Sequence, residues 1–442
     1  MLTPILSRLP DPLRKRLGST SLKRFVWSLG AASFARLGML VLSVIVARRY
    51  GAEAFGAFTF ATGLAMILSQ ATNLGWPSLA TREIPRLLAT NELGRLRGLL
   101  RAANAVTIAG STIVSLFIWS ISPVFGRLEQ AVLLAAILSP PLAMTVLRRQ
   151  ELSALKLSHL GLFFDQGFGA ILAALVLLAI NAVPFIAINV VYAVTIGIAA
   201  LCTTVILSAN LPRSLREVPA EYEMRSWTGS ALPMLLGTIS KKLVAKADVL
   251  LLAPLSDLFQ TGLYGAGFRL TYLLSFPQVV LMTVVTPLFS EAVANSRGKR
   301  LRALLRQCLF FTTVTIMPVL IVGLLFAEPI MGLVFGQEFT AAANVLRWLL
   351  FGQTANSFAL VFSSLLIMGG RERAFATINL AAFGLAAALC LMLIPSLGAL
   401  GAAIATTVST WTALLVQIWI GLPILRTNDA GRAPHAANTE ED

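Results

Sequence analysis

The chain has 442 residues, of which 57% are hydrophobic and only 12% charged, and its mean hydropathy is +0.81. A soluble domain carries about 25% charged residues, so this composition excludes a soluble enzyme and points to an all-α integral membrane protein. The formal net charge of +15 reads as membrane topology and attraction to anionic headgroups, not as nucleic-acid binding.

In chain order, a basic N-terminal tail (1–24) precedes twelve predicted apolar spans. They lie at 25–47, 55–75, 102–122, 130–147, 161–180, 184–207, 230–252, 262–286, 308–326, 341–367, 374–394 and 397–421. Each approaches the roughly 20 residues that cross a bilayer as a helix. The first is too long for a signal peptide and no small-residue cleavage site follows it. Residues 25–207 form a predicted N-lobe of six spans, 208–229 a linker, 230–421 a C-lobe of six spans, and 422–442 a polar, disordered tail. The two halves look repeated. The joint Tyr50-Gly-Ala-Glu-Ala-Phe-Gly-Ala-Phe58 matches Leu255-Ser-Asp-Leu-Phe-Gln-Thr-Gly-Leu-Tyr264 in kind: a short polar turn with an acid, then Phe, then Gly and an aromatic. Six spans per half make this a parallel repeat.

Of the 35 Lys and Arg, 26 fall in segments on one side of such a topology. Three (Arg48, Arg49 and Arg127) fall on the other. By the positive-inside rule both termini are cytoplasmic. Cys202, Cys308 and Cys390 read as small buried hydrophobes, and neither histidine, His159 or His435, belongs to a cluster with metal-site spacing. No connecting segment is long enough for a catalytic domain, and no phosphate-binding loop or nucleophile elbow is present. Transport is the better class, with no metal or bound cofactor, driven by something other than bound ATP.

Six cations lie inside the spans: Arg36, Lys241, Lys242, Lys246, Arg269 and Arg347. Only Asp165 and Asp248 share those spans. A charge at the bilayer centre costs roughly 2.5–3.5 kcal/mol on insertion scales, so an excess of cations implies water or an anion reaching them. Arg347, beside Trp348, reads as an interfacial anchor. Lys246 either snorkels, pairs with an acid, or joins Arg36, Lys241, Lys242 and Arg269 in a cationic cavity. Pyrophosphate suits such a cavity, since Arg grips its oxygens bidentately and Lys supplies a point charge. Asp248 has no cation three or four residues away, so any partner must come from another helix. Pro233 and Gly237 in span 7 and Pro277 in span 8 are candidate hinges, among helix breakers that also include Gly30 and Gly38 in span 1, Gly229 in span 7, and Gly262, Gly265 and Gly267 in span 8 with Pro287 just past its end, although small residues also serve tight packing.

Several stretches resemble a known family. They are Ser28-Leu-Gly-Ala-Ala-Ser-Phe-Ala-Arg36-Leu-Gly38, Val46-Ala-Arg-Arg-Tyr-Gly-Ala-Glu-Ala-Phe-Gly56, Asn73-Leu-Gly75 with Ala80-Thr-Arg82-Glu83, Leu232-Pro-Met-Leu-Leu236, and Tyr264-Gly-Ala-Gly-Phe-Arg269-Leu leading to Phe276-Pro277. In these the chain resembles the bacterial oligosaccharide flippases of the polysaccharide transport family. That family belongs to the multidrug/oligosaccharidyl-lipid/polysaccharide (MOP) flippase superfamily. The resemblance implies two six-helix lobes in a V around a central cavity, as in MATE transporters. It implies export of an undecaprenyl-pyrophosphate-linked oligosaccharide across the bacterial inner membrane by alternating access, as a monomer, with membrane lipids and polysaccharide-assembly proteins as partners. It also implies coupling to a proton or sodium gradient, for which Asp165 and Asp248, the two acids within the spans, are the candidate residues. Arg36 and Arg269 sit in motif settings similar to the cavity arginines of lipid II flippases, which carry two further spans and a shorter interval between the equivalents of Arg269 and Pro277. The competing readings are a multidrug-extrusion or lipid II-type transporter of the same superfamily, and a membrane-embedded polysaccharide polymerase or ligase.

Overall fold

The computed structural model describes residues 19–427, apart from 181–183, 245 and most of 275–297. Among the described residues all regular structure is helical. The α-helices are α1 (Ser19–Thr72), α2 (Trp76–Ala89), α3 (Leu93–Ile121), α4 (Glu129–Ala154), α5 (Ser158–Phe163), α6 (Gln166–Ala179), α7 (Phe185–Asn210) and α8 (Met224–Val244). They continue with α9 (Ala247–Leu255), α10 (Leu258–Leu274), α11 (Gly298–Leu325), α12 (Ala327–Phe335), α13 (Ala343–Met368), α14 (Glu372–Leu397) and α15 (Ala399–Thr427).

Eight helical stretches among the described residues are long and apolar enough to cross a membrane. Two of them, 27–72 with 46 residues and 93–154 with 62, have length for two crossings each. They therefore account for ten of the twelve predicted spans. Of the other two, the seventh carries four charged residues and the eighth runs into residues outside the described set.

The described chain forms two compact units. One comprises residues up to 42 with 61–243; the other comprises 43–60 with residues from 244 onward. The predicted linker 208–229 lies within the first unit. There Glu221 donates its backbone N–H to the carbonyl of Gly94 at 3.0 Å, and Arg97 reaches the carbonyl of Val218 at 2.5 Å. A Cβ at Gly98 would overlap the carbonyl oxygen of Glu221, so only glycine lets this strap lie flat on α3. The segment after span 2, expected as an inner loop, is instead the amphipathic α2. Trp76, Leu79, Ala80, Glu83, Ile84 and Leu87 recur at three- and four-residue spacing and are buried. They pack with Leu96, Leu99 and Trp227, and the Trp76 and Trp227 rings meet edge to face at 6.2 Å.

In the second unit the two joints that look repeated in the sequence pack on each other. Gly51 bends α1 with φ +81°, a value open to glycine. A Cβ at Gly56 would overlap the carbonyl of Leu258, and a Cβ at Gly262 would overlap the carbonyl of Ala52. Each helix therefore meets the other's backbone through a glycine. Arg48 holds the corner by donating to the carbonyls of Val334 (2.9 Å) and Leu333 at the end of α12. Glu338 accepts the N–H of Ala52 at 3.0 Å. Phe55, Phe335 and Phe339 fill the space beneath.

Candidate functional site

The six intramembrane cations divide between the units. Lys246, Arg269 and Arg347 belong to the second. Arg347 donates to the carbonyl of Leu324 at 3.1 Å and to Asn344 at 2.7 Å, so the predicted anchor is a clamp on the last turn of α11. Lys246 sits at the break between α8 and α9, its ammonium 5.1 Å from the ring centre of Phe268. Arg269 is half-buried on α10. Asp248 is buried and accepts hydrogen bonds from the Tyr264 hydroxyl and from the N–H of Val249 at 2.8 Å. The cross-helix partner expected for Asp248 is thus a phenol on α10.

The first unit holds Arg36, Lys241 and Lys242. Lys241 lies on α8, and its side chain is outside the described residues. Arg36 is half-buried beside the crossing of α1 and α6, where a Cβ at Gly38 would stand 2.6 Å from the carbonyl oxygen of Gly167 and one at Gly167 would overlap Ala35.

Lys242 reaches a polar cavity of about 150 Å³. Its walls are Gln70 from α1, Ser78 from α2, Arg149 and Gln150 from α4, and Thr238 from α8. Arg149 donates from Nη1 to Oδ2 of Asp165 at 2.7 Å. Lys242 lies within electrostatic range of both. Asp165 occupies the N-cap of α6, where predicted span 5 breaks into α5 and α6. Its other oxygen, Oδ1, is buried with no hydrogen-bond partner among the described residues.

The corner of the cavity is fixed by Asn73. Its amide donates to the carbonyls of Ser69 (2.8 Å) and Ala143 (3.1 Å), and its oxygen accepts from Thr107 at 2.8 Å. One side chain thus ties α1, α3 and α4 together. The chain then turns through Leu74 (φ 48°) and Gly75 (φ 79°) into α2, and a Cβ at Gly75 would overlap the carbonyl of Ala231.

Chemically, two cations face one carboxylate among neutral amides and hydroxyls, which suits an anion. The volume is below the roughly 300–1,000 Å³ of drug-sized sites, so the cavity admits an ionic headgroup and not a sugar chain.

Reading by sequence missed Arg149, because a cation at the inner end of span 4 is what topology requires. It missed Arg148 for the same reason. Arg148 is buried, pairs with buried Glu151, and also donates to Asn104 and to Thr204 (2.9 Å). A signal was present: Arg148-Arg149-Gln150-Glu151 continues a helix without a turn residue.

α8 runs unbroken through Pro233 and Gly237, and Lys246 caps the start of α9. Pro277 is helical and half-buried. Gly38, Gly262, Gly265 and Gly267 sit at close helix contacts, so they serve packing.

The MatE family model matches residues 233–392. No curated protein sequence matches the chain significantly. The fold is similar to that of an inward-facing multidrug resistance MATE family transporter of the MOP superfamily, with a TM-score of 0.70 at 14% identity over 91% of this chain and 100% of that one. It is similar to the lipid II flippase MurJ in an inward closed conformation, with a TM-score of 0.68 at 12% identity over 92% and 90% of the two chains. It is also similar to a MOP superfamily transporter from Pyrococcus furiosus described by a binding pocket of reverse polarity, with a TM-score of 0.58 at 13% identity over 91% and 97%. The architecture is the MATE-like one shared with these transporters and the flippase.

Proposed function

We propose that the protein is a flippase that carries a polyprenyl-pyrophosphate-linked oligosaccharide across the bacterial inner membrane by alternating access. The observation that carries this reading is that Lys242 and Arg149 both line one small cavity, with Arg149 also bonded to Asp165. Pyrophosphate matches it in charge and in size. Arg149 presents a planar fork to phosphate oxygens, and Lys242 adds a point charge from the facing helix. Arg36 and Arg269 remain further candidates for the path of the headgroup.

Asp165 acts in this reading as the counter-ion of Arg149, exchanged for phosphate when substrate arrives. It is thereby placed to couple binding to a proton gradient, because protonating it releases Arg149. Asp248, held by Tyr264, is the second candidate for coupling. Both termini are cytoplasmic by the distribution of Lys and Arg. A multidrug exporter for organic cations fits less well, since its substrate would meet net positive charge in this cavity. Uptake of a labelled polyprenyl-pyrophosphate sugar into the inner leaflet of proteoliposomes, with Arg149→Ala and Lys242→Ala as variants, tests the assignment.

A further inference from the structure

A second cavity in the first unit, of about 610 Å³, is apolar and aromatic. Trp27, Ala31 and Phe34 of α1 line one side, and His159, Phe163 and Phe164 line the other. Phe34 and Phe163 stack with ring centres 4.6 Å apart. Phe163 and Phe164 meet edge to face at 5.1 Å, and Phe168 lies 5.0 Å from Phe164. This wall adjoins the charged pair along the chain. Phe164 is bonded to Asp165, and Gly161 lies on Arg149, where a Cβ would stand 3.1 Å from the Arg149 carbonyl oxygen. One short segment, Ser158–Asp165, thus presents aromatic rings to the groove and a carboxylate to the cation.

We propose that this groove seats the head-proximal part of the polyprenyl chain while Arg149 and Lys242 hold the pyrophosphate. The proposal rests on the function above and adds the lipid part of the substrate to it. Charge complementarity selects the occupant: it must be uncharged along the aromatic wall and anionic at the end next to Arg149. A groove of this volume holds a drug-sized piece of chain. Lipid tails are as apolar as the groove, so preference for a polyprenyl chain comes from van der Waals fit to the ring faces and not from the hydrophobic effect.

The test is equilibrium binding to the full chain in lipid nanodiscs, with undecaprenyl pyrophosphate and inorganic pyrophosphate as the two probes. Trp27→Ala changes an exposed side chain (69% accessible) and is expected to fold; Phe34→Ala removes the stacked ring. Both should weaken undecaprenyl pyrophosphate on the order of fivefold, leave inorganic pyrophosphate unchanged, and leave retention of phosphatidylglycerol unchanged. Unchanged pyrophosphate binding also shows that the variants are folded. Equal loss of phosphatidylglycerol would make the groove a site for ordinary membrane lipid and overturn the proposal. So would wild-type binding of the polyprenyl probe by both variants, although the anion cavity would stand. If Arg149→Ala leaves both probes bound as before, the underlying function falls, whatever the groove variants do.

Discussion

Arg149 on α4 and Asp165 at the start of α6 form an ion pair of 2.7 Å across the break in the fifth span. Neither is fully buried, the side chains being 28% and 12% accessible. The pair is therefore partly open to solvent. In the proposed function, phosphate takes the place of Asp165 at Arg149.

Asp165→Asn should remove the competing carboxylate and strengthen pyrophosphate binding by about tenfold, the scale of one charge-assisted hydrogen bond. Calorimetric titration of the purified protein with inorganic pyrophosphate checks this. Weaker binding in the variant would show that Asp165 orients Arg149 and does not compete with the ligand.

Arg148 and Glu151 are buried at 3% and 0% side-chain accessibility. Removing one partner leaves an uncompensated charge, so Glu151→Ala should cost about 3–5 kcal/mol of stability. Replacing both residues by apolar ones of similar size should cost much less. Thermal unfolding in detergent, compared between the single and double variants, measures the difference.

The reciprocal glycines give a sharper packing test. Gly56→Ala and Gly262→Ala each drive a methyl group into a facing carbonyl, and the helices must part. Either change should cost about 1–3 kcal/mol, the usual scale of overpacking. The double variant should cost less than the sum, because once the helices separate both methyls are accommodated. Unfolding midpoints of the three variants measure the coupling.

Tyr264→Phe removes the hydroxyl that serves buried Asp248. The expected loss is about 1–3 kcal/mol for an unsatisfied buried group. If Asp248 also couples transport to a gradient, the variant should shift the pH at which flipping is half-maximal. A stability loss with an unshifted pH profile would restrict Asp248 to structure.

The fold was largely legible because bilayer crossing constrains composition so tightly. Blocks of apolar sequence marked the spans, and the polar turns at Tyr50 and Leu255 marked the paired joints. Lys242 stood out since an ammonium within a predicted span demands a reason. Arg149 did not, because cations cluster at inner span ends for topogenic reasons and hide any other role. The break at Asp165 was also obscured, lying in a run of Phe with no proline. Its one sequence signal was the residue type, since Asp is favoured at a helix N-cap. Pro233 and Gly237, read as hinges, lie within a continuous α8. Span 7 is interrupted beside Lys246, where the chain passes from one unit to the other.

The most direct test of the central claim is flipping itself. Purified protein in liposomes is given a fluorescent undecaprenyl-pyrophosphate oligosaccharide, and leaflet exchange is followed by a membrane-impermeant quencher. Arg149→Ala and Lys242→Ala should each slow exchange by about tenfold or more, while Arg213→Ala, an exposed change in the linker, should leave it at the wild-type rate. Wild-type exchange in both cavity variants, at equal protein incorporation, would contradict the account.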